Sequence, residues 1–320
     1  MKRLKIFPNS KLILKVKNCF FLLLGLVDVI TRSNVCRSQE SALVFHEISD
    51  MPSKLSQLNK TNITVKQFTE LVKEYENSNW MKKLRIQFTF DDGFKLSDDI
   101  LDLLEAAKVR SIFFINSSTI DSKVNCDAIR VMDYLSSIPN LDSGKKAFDS
   151  PDRIEEIVTT FTKPNHFYEF QGPYFTWKEL RALEKRQFMI GDHFIYHVDV
   201  TRLALQDLHR LITASRTRFR EERIHCSSFA FPYGKANRKV IELLKHHQII
   251  SKYGGSAYSL LSQRLDCIPR VQVTEKTQSI RVIRGELLFN RFIQQLFLNK
   301  YGKVSKSDDV SQLVVWAKLV

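Results

Sequence analysis

The stretch from Leu84 to Ile115 reads LRIQFTFDDGFKLSDDILDLLEAAKVRSIFFI, and it decides the fold class. Its first part, Leu84 to Phe90, is an apolar run of strand length that ends at an Asp-Asp-Gly turn. The next part, DDILDLLEAAK, has the spacing of an amphipathic helix, and SIFFI from Ser111 to Ile115 is again a short apolar run. A strand, a helix and a second strand in this order are typical of a parallel β-α-β unit.

The same alternation continues on both sides of this unit. Further strands are predicted at 42–48, 188–191, 228–231 and 249–252. Further helices are predicted after the capping boxes Thr64-x-x-Gln67 and Thr176-x-x-Glu179, and at 203–222 and 235–247. Residues 120–172 are less regular and are interpreted as an insertion. The alternation predicts an α/β architecture with a parallel sheet, in which the polar motifs that follow strands gather at one edge.

Length and composition exclude several classes of protein. The chain has 320 residues, of which 43% are hydrophobic and 26% are charged, as in ordinary globular proteins. A disordered, collagen-like or polytopic membrane chain is therefore excluded. The five cysteines form no C-x-x-C pair, so neither a structural zinc site nor a disulfide framework is indicated. A reducing compartment is the default for such cysteine usage.

The net charge of +14 is concentrated at the two ends of the chain. Residues 1–37 carry +7 and residues 276–320 carry +5, which leaves only +2 for residues 38–275. An enzyme that acts on nucleic acid is expected to carry its basic surface on the folded core, where phosphates dock. No nucleic-acid partner is therefore predicted.

The N-terminal segment joins a basic stretch to an apolar run from Cys19 to Ile30 that Asp28 interrupts. The run is shorter than the about 18 apolar residues usual for a transmembrane helix, and no small-x-small cleavage site follows it. We favour contact with an anionic membrane surface, and a helix packed on the domain is the alternative. The predicted location is the cytoplasm, peripheral to the inner membrane, and an exported form stays open.

Two polar motifs carry the predicted chemistry. Asp91 and Asp92 are adjacent carboxylates at a strand end, so one can bind a metal while the other acts as a base; an ordinary Asp-Gly turn is the alternative. His193 and His197 are spaced i and i+4, so they share one face if the segment is helical. A surface pair or a core histidine is the alternative. Asp92, His193 and His197 together would suit zinc and are also compatible with iron(II).

A third motif, F-P-Y-G, and a fourth, I-P-R at Ile268–Arg270, also lie beside predicted strands. In this order, the four motifs resemble those of the polysaccharide deacetylases, a family of carbohydrate esterases on a distorted (β/α) barrel. The family's T-F-D-D-G is matched by Thr89–Gly93, and its G-S-H-[ST]-x-x-H is matched in part by Gly191–His197. Its P-Y-G is matched by Pro232–Gly234. The resemblance covers roughly residues 41–275.

The resemblance implies a barrel of about seven strands over residues 41–275, with the insertion on its rim. A basic and apolar N-terminal extension (1–40) and a basic C-terminal extension (276–320) would flank it. The implied activity is that of a metal-dependent hydrolase that removes an N-acyl group from an amino sugar of a glycan or of a lipid-linked precursor. Acetyl is the favoured acyl group and formyl stays open. The partner is then a carbohydrate, and the bond cleaved is a carbon–nitrogen bond that is not a peptide bond.

The resemblance also implies roles for individual residues. Asp91 would be the general base, and Asp92, His193 and His197 would bind a divalent metal, with zinc favoured. The backbone N–H of Tyr233 would help to hold the oxyanion, which is stabilised by such fixed donors. The metal would lower the pKa of a bound water towards about 7.

Three departures from the family pattern affect these roles. The usual Arg before the Pro of the third motif is absent, and Arg270 is predicted to steady Asp91 in its place. The usual C-terminal L-x-H, which supplies the general acid, is absent; His46 is the candidate acid, and a structural core histidine is the alternative. Positions 192 and 194 hold Asp and Phe. The missing Arg and Phe194 motivate a second hypothesis, a catalytically silent carbohydrate-binding relative.

Overall fold

The computed structural model describes residues 40–53, 56–57, 60–83, 85–120, 174–256, 267–274 and 282–290. The predicted N-terminal extension, most of the C-terminal extension and nearly all of the predicted insertion lie outside the described residues. Their boundaries and the predicted membrane contact therefore stay predictions. Within the described ranges, no helix combines the length and the apolar composition needed to cross a membrane.

The described part of the chain contains one seven-stranded sheet in which all neighbouring strands are parallel. Its strands are β1 (Ser41–Phe45), β2 (Ile86–Phe90), β3 (Ser111–Ile115), β4 (Met189–Asp192), β5 (Cys226–Ala230), β6 (Ser251–Tyr253) and β7 (Arg270–Gln272). The strand order is β6-β5-β4-β3-β2-β1-β7. A parallel bridge between Tyr253 in β6 and Ile268 just before β7 joins the two edges, so the sheet is a nearly closed barrel. The predicted (β/α) barrel of about seven strands is confirmed.

The described helices are α1 (Val65–Asn77), α2 (Asn79–Lys83), α3 (Asp98–Ala106), α4 (Ser117–Ile120), α5 (Trp177–Lys185), α6 (Leu205–Glu221), α7 (Arg238–His246) and α8 (282–290). Helices α1 to α7 lie between strands along the chain, and α8 follows the last strand. Both predicted capping boxes are present: the Thr64 hydroxyl accepts from the backbone N–H of Gln67, and the Thr176 hydroxyl accepts from that of Glu179. These bonds satisfy backbone donors that the first turn of a helix leaves unpaired.

Strands β1, β2 and β3 are buried along their whole length. One face of each strand meets the barrel interior and the other meets helices, which is why these strands read as continuous apolar runs rather than as alternating ones. Aromatic rings dominate the helix-facing layer, where Phe45 meets Phe68 of α1 edge to face at 5.2 Å and Phe90 stacks on Phe113 at 4.8 Å. This packed layer holds the strand ends that carry the polar motifs.

Several element boundaries differ from prediction by a few residues. Strand β1 ends at Phe45 rather than at residue 48. The reason is a loop contact: the buried Glu47 carboxylate accepts hydrogen bonds from the backbone N–H and the hydroxyl of Ser53. These bonds draw the chain away from the sheet directly after the strand. His46 is thereby placed in a loop, one residue beyond the carboxyl end of β1.

Candidate metal centre

The predicted site residues come together at the carboxyl edge of the barrel. Asp91 follows β2, His193 follows β4, Tyr233 follows β5 and His46 follows β1. Because parallel strands have all their carboxyl ends on one side of the sheet, motifs that are far apart in sequence become neighbours there. This edge is where an α/β barrel places its active site.

Asp92, His193 and His197 form a cluster that could hold one metal ion. One ligand atom from each residue lies within 4.8 Å of the other two. Asp92 Oδ1 is 3.4 Å from His193 Nε2 and 3.4 Å from His197 Nε2. All three side chains are buried. A buried carboxylate between two imidazoles fits a divalent cation, since the cation would offset the buried negative charge and leave positions for water and substrate.

The ring of His193 is held in the orientation that a metal ligand needs. Its Nδ1 pairs with the backbone carbonyl oxygen of Ala230 at 2.9 Å, so Nδ1 carries the proton and the lone pair of Nε2 faces Asp92. Its backbone N–H donates to Ile115 O. Burial lowers the pKa of His193, but the carboxylates of Asp91 and Asp92 outweigh it and leave the pKa raised. The local field therefore attracts positive charge to Nε2.

The histidine segment is a loop, so the helix that would have put both rings on one face is not present. His193 and His197 instead approach each other because Phe194 adopts a left-handed conformation (φ 72°). The Asp192 carboxylate accepts hydrogen bonds from the Phe194 N–H (2.8 Å) and from the Ser215 hydroxyl (2.9 Å). The condition for a shared helix face, a helical segment, is therefore not met, although the two imidazoles do meet.

Asp192 and Ser215 support this loop, and sequence reasoning missed both roles. Ser215 lies in α6, so its bond to Asp192 ties the loop to a helix. Asp192 is fully buried; burial raises its pKa to about 6, opposed by the hydrogen bonds from Ser215 and Phe194. The Phe194 ring is also fully buried and meets Phe229 at 6.5 Å. Asp192 and Phe194 therefore anchor this loop in the core, which no local pattern would reveal.

Asp91 has a different environment from its neighbour Asp92. Arg270 Nη1 donates to both carboxylate oxygens of Asp91, at 2.7 and 2.8 Å, and Arg270 Nε donates to Gly254 O at 3.1 Å. Asp91 and Arg270 are 3% and 7% exposed, so this is a buried ion pair. Asp92 turns away from its neighbour through a left-handed backbone (φ 72°). The two adjacent carboxylates thus face different partners, a guanidinium and a pair of imidazoles.

The turn at Tyr233 is clamped against the loop that leads to Arg270. Tyr233 has φ 57°, its ring lies edge-on to that of His197 at 4.5 Å, and its hydroxyl donates to His197 O at 3.3 Å. A Cβ on Gly234 would lie 2.7 Å from the Cα of Gly255, so only glycine fits. Gly255 N–H donates to Gly234 O, and Arg270 N–H donates to Gly255 O, both at 3.0 Å. The backbone of Tyr233 and the side chain of Arg270 are therefore positioned by one hydrogen-bonded unit.

His46 approaches a different oxygen of the Asp92 carboxylate from the one that His193 and His197 approach. Its Nε2 is 3.9 Å from Asp92 Oδ2, whereas His193 and His197 approach Oδ1. Its side chain is 12% exposed, more than that of any of the three candidate ligands. The structure thus brings His46 to the centre and leaves part of its imidazole open to a bound molecule.

Comparison with known proteins agrees with this architecture. A model of the polysaccharide deacetylase family matches residues 79–250, a range that contains Asp91, the candidate ligands and Tyr233 but neither His46 nor Arg270. No curated protein matches the chain.

Solved structures also resemble the chain. A Streptococcus pyogenes deacetylase, PplD, in complex with acetate matches with a TM-score of 0.51 and 11% identity, over 80% of this chain and 99% of that chain. BC0361, a polysaccharide deacetylase from Bacillus cereus, matches with a TM-score of 0.49 and 13% identity, over 77% and 69%. IcaB from Ammonifex degensii matches with a TM-score of 0.48 and 12% identity, over 79% and 100%. At such identities the likeness to PplD shows the fold alone.

Proposed function

The chain belongs to the polysaccharide deacetylase family, and from this premise we propose that it removes the N-acetyl group from an amino sugar of a glycan or of a lipid-linked precursor, with one divalent metal ion. The family is one of hydrolases that cleave a carbon–nitrogen bond. The observation that carries the proposal is the convergence of Asp92, His193 and His197 beside a second, separately held carboxylate, Asp91.

The donor set supports a metal, with zinc favoured and iron(II) open. Asp92, His193 and His197 would hold it, since their ligand atoms converge and the Nδ1 proton of His193 is already committed to Ala230 O. A bound divalent cation supplies Lewis-acid polarisation of an acyl carbonyl and acidifies water. The buried position would strengthen both effects, because charges interact more strongly where water is excluded.

Asp91 is proposed as the general base. It would accept the proton of the water that adds to the acyl carbon. Arg270 contacts both of its oxygens and so fixes the carboxylate in one orientation, while each oxygen keeps lone pairs that can accept a proton. Oriented proton transfer of this kind typically contributes about 10²–10⁴-fold in rate.

Two further groups are proposed to act on the substrate. The backbone N–H of Tyr233, in the turn that Gly234 and Gly255 clamp, would donate to the oxyanion; one such donor is typically worth about 10²–10³-fold in kcat. His46 would protonate the amine nitrogen as the carbon–nitrogen bond breaks. Acetate and a free amino sugar are then the products, and no atom is left unaccounted for.

The proposal is tested by measuring bound metal and acetate release in the same preparations. The wild-type chain is expected to hold about one divalent ion and to release acetate from an N-acetylglucosamine oligomer. Asp92→Asn should lose metal affinity by more than the roughly 10–100-fold that changes around metal ligands cost, and it should lose acetate release with it. Elemental analysis also identifies the metal.

The matched control is Asp98→Asn, which makes the same change on a side chain that is 94% exposed. It should keep both metal and activity. Normal metal content in Asp92→Asn would contradict the metal centre. If the wild-type chain holds metal and binds the oligomer but releases no acetate, the alternative of a catalytically silent carbohydrate-binding relative is favoured instead.

A further inference from the structure

A cluster of cationic side chains lies at the amino end of the barrel, opposite the candidate metal centre. A cavity of about 490 Å³ opens there between the last turns of α6 and α7 and the starts of β5 and β6. Arg216 and Arg220 of α6 and Lys245 of α7 supply its cationic lining, and His225 before β5 also lines it. Its volume falls within the range of about 300–1,000 Å³ that is usual for small-molecule sites.

Among the described residues, neither Arg216 nor Arg220 forms a direct ion pair with a carboxylate, although the charge of Arg216 acts on the buried Asp192 carboxylate. Arg216 Nη1 donates to the carbonyl oxygen of Cys226, and Arg220 Nε donates to Arg216 O at 3.3 Å. A guanidinium has five N–H donors, so most of those on Arg216 and Arg220 are not used by these bonds. Lys245 differs, because its ammonium pairs with Glu242 at 2.9 Å.

The field beside the cavity is positive. The rings of His209 and His247 lie 5.1 Å apart, and neither residue lines the cavity, although His247 precedes the lining residue Gln248 in the chain. The pKa of His247 is lowered, first by burial and then by the positive charges of His209, Arg216 and Arg220. Burial is the larger cause, and the charges of Arg216 and Arg220 add to it, which agrees with a positive potential near the cavity.

Three negative features oppose an anion at this position. The carboxyl ends of α6 and α7 together carry the equivalent of about one negative charge, which is less than the charge of the two guanidiniums and is screened by solvent. The buried Asp192 carboxylate interacts with Arg216 but does not line the cavity. Glu184 accepts a hydrogen bond from the His225 N–H at 2.9 Å, but it does not line the cavity.

We propose that this cavity binds a phosphate monoester. A guanidinium donates two parallel hydrogen bonds to phosphate oxygens, and Ser227 and Gln248 add polar groups to the lining. The remaining lining is apolar, and Ile250 at the cavity is 77% exposed. Apolar surface next to the cationic groups fits the organic part of an ester better than it fits a bare ion. The inference is independent of the proposed deacetylation, because the two sites lie at opposite ends of the barrel.

A phosphate monoester group occurs both in soluble metabolites and in lipid headgroups, so the experiment has two arms. In the first, glycerol 3-phosphate is titrated into the full chain by calorimetry. In the second, the chain is sedimented with phosphatidylcholine vesicles that contain phosphatidic acid, whose headgroup is also a phosphate monoester. The test variant is Arg220→Gln, because Arg220 is exposed and its contacts are long, so the fold is expected to tolerate the change.

The matched control is Arg238→Gln, an exposed arginine at the start of α7 that does not line the cavity. Arg220→Gln should weaken binding roughly tenfold, the size expected for one lost charge-assisted hydrogen bond, and Arg238→Gln should not. Arg220→Lys keeps the positive charge but lacks the planar guanidinium, so its binding affinity should lie between those of Arg220→Gln and the wild type. Circular dichroism verifies that each variant is folded.

The outcomes separate the two sources and the alternatives. Binding of glycerol 3-phosphate that only Arg220→Gln weakens would support the proposal with a soluble ester as ligand. The same pattern with vesicles alone would support it with a lipid headgroup as ligand. Equal weakening in both variants would show an effect of net charge and overturn the proposal, as would no binding in either arm. Phosphate held at the metal centre would be insensitive to Arg220 and would also overturn it.

Discussion

Charged side chains at the two ends of the barrel differ in how deeply they are buried and in how they are paired. At the carboxyl end, Asp91 and Arg270 are almost fully buried and contact each other directly. At the amino end, Arg220 and Lys245 are exposed to solvent, and Lys245 pairs with the exposed Glu242. A buried charge is costly unless its partner stands at the right distance, whereas an exposed charge costs little by itself. Substitutions should therefore be severe at the first end and mild at the second.

The largest effect is expected for Arg270→Gln. The change leaves the Asp91 carboxylate buried without its cation, which typically costs about 3–5 kcal/mol of folding free energy. Acetate release should fall as well, since the proposed base loses its orientation. Denaturant unfolding and a product assay measure the two effects. Arg238→Gln, at an exposed position, should stay within about 0.5 kcal/mol of the wild-type free energy of unfolding. Equal losses of stability in both variants would contradict the difference between the two ends of the barrel.

A smaller effect is expected for Gly234→Ala in the turn that carries Tyr233. The new Cβ would meet Gly255 Cα at 2.7 Å, and the left-handed backbone (φ 65°) adds strain, so we expect a cost of about 1–3 kcal/mol and reduced turnover. Gly234→Asn separates the two causes, because Asn tolerates this backbone but carries the same Cβ. If Asn restores wild-type stability and turnover, the close contact with Gly255 is not what matters.

The smallest effect is expected at the amino end, for His247→Gln. Because its folded-state pKa lies below the usual value of 6.5, the unfolded chain binds the proton more tightly. The contribution of His247 to stability is therefore present above pH 6.5 and is lost as the pH falls below it. His247→Gln should show a smaller drop in melting temperature between pH 7.5 and pH 5.5 than wild type. An identical drop would contradict the lowered pKa that burial and the neighbouring positive charges give His247 in the folded state.

The order of elements could be predicted because its signals are local. The capping boxes at Thr64 and Thr176 are interactions over three residues, and both form as predicted. The end of β1 was placed too late because it depends on the bond between Glu47 and Ser53, which belongs to a loop without a distinctive pattern. The parallel sheet covered by helices follows from the repeated alternation of strands and helices, whereas the barrel was implied by the family resemblance.

The amino-acid sequence by itself determined which side chains were available for the chemistry: two adjacent carboxylates after one strand and two histidines after another. The family resemblance predicted separate roles for the two carboxylates and Arg270 as the partner of Asp91, but only the tertiary structure decided the contacts that separate them. It pairs Asp91 with Arg270, 179 positions away, and it brings His193 and His197 together through a loop held by Asp192. The physical reason is that residue type and spacing encode local preferences, whereas the distance between remote segments depends on strand register and on closure of the barrel between Tyr253 and Ile268.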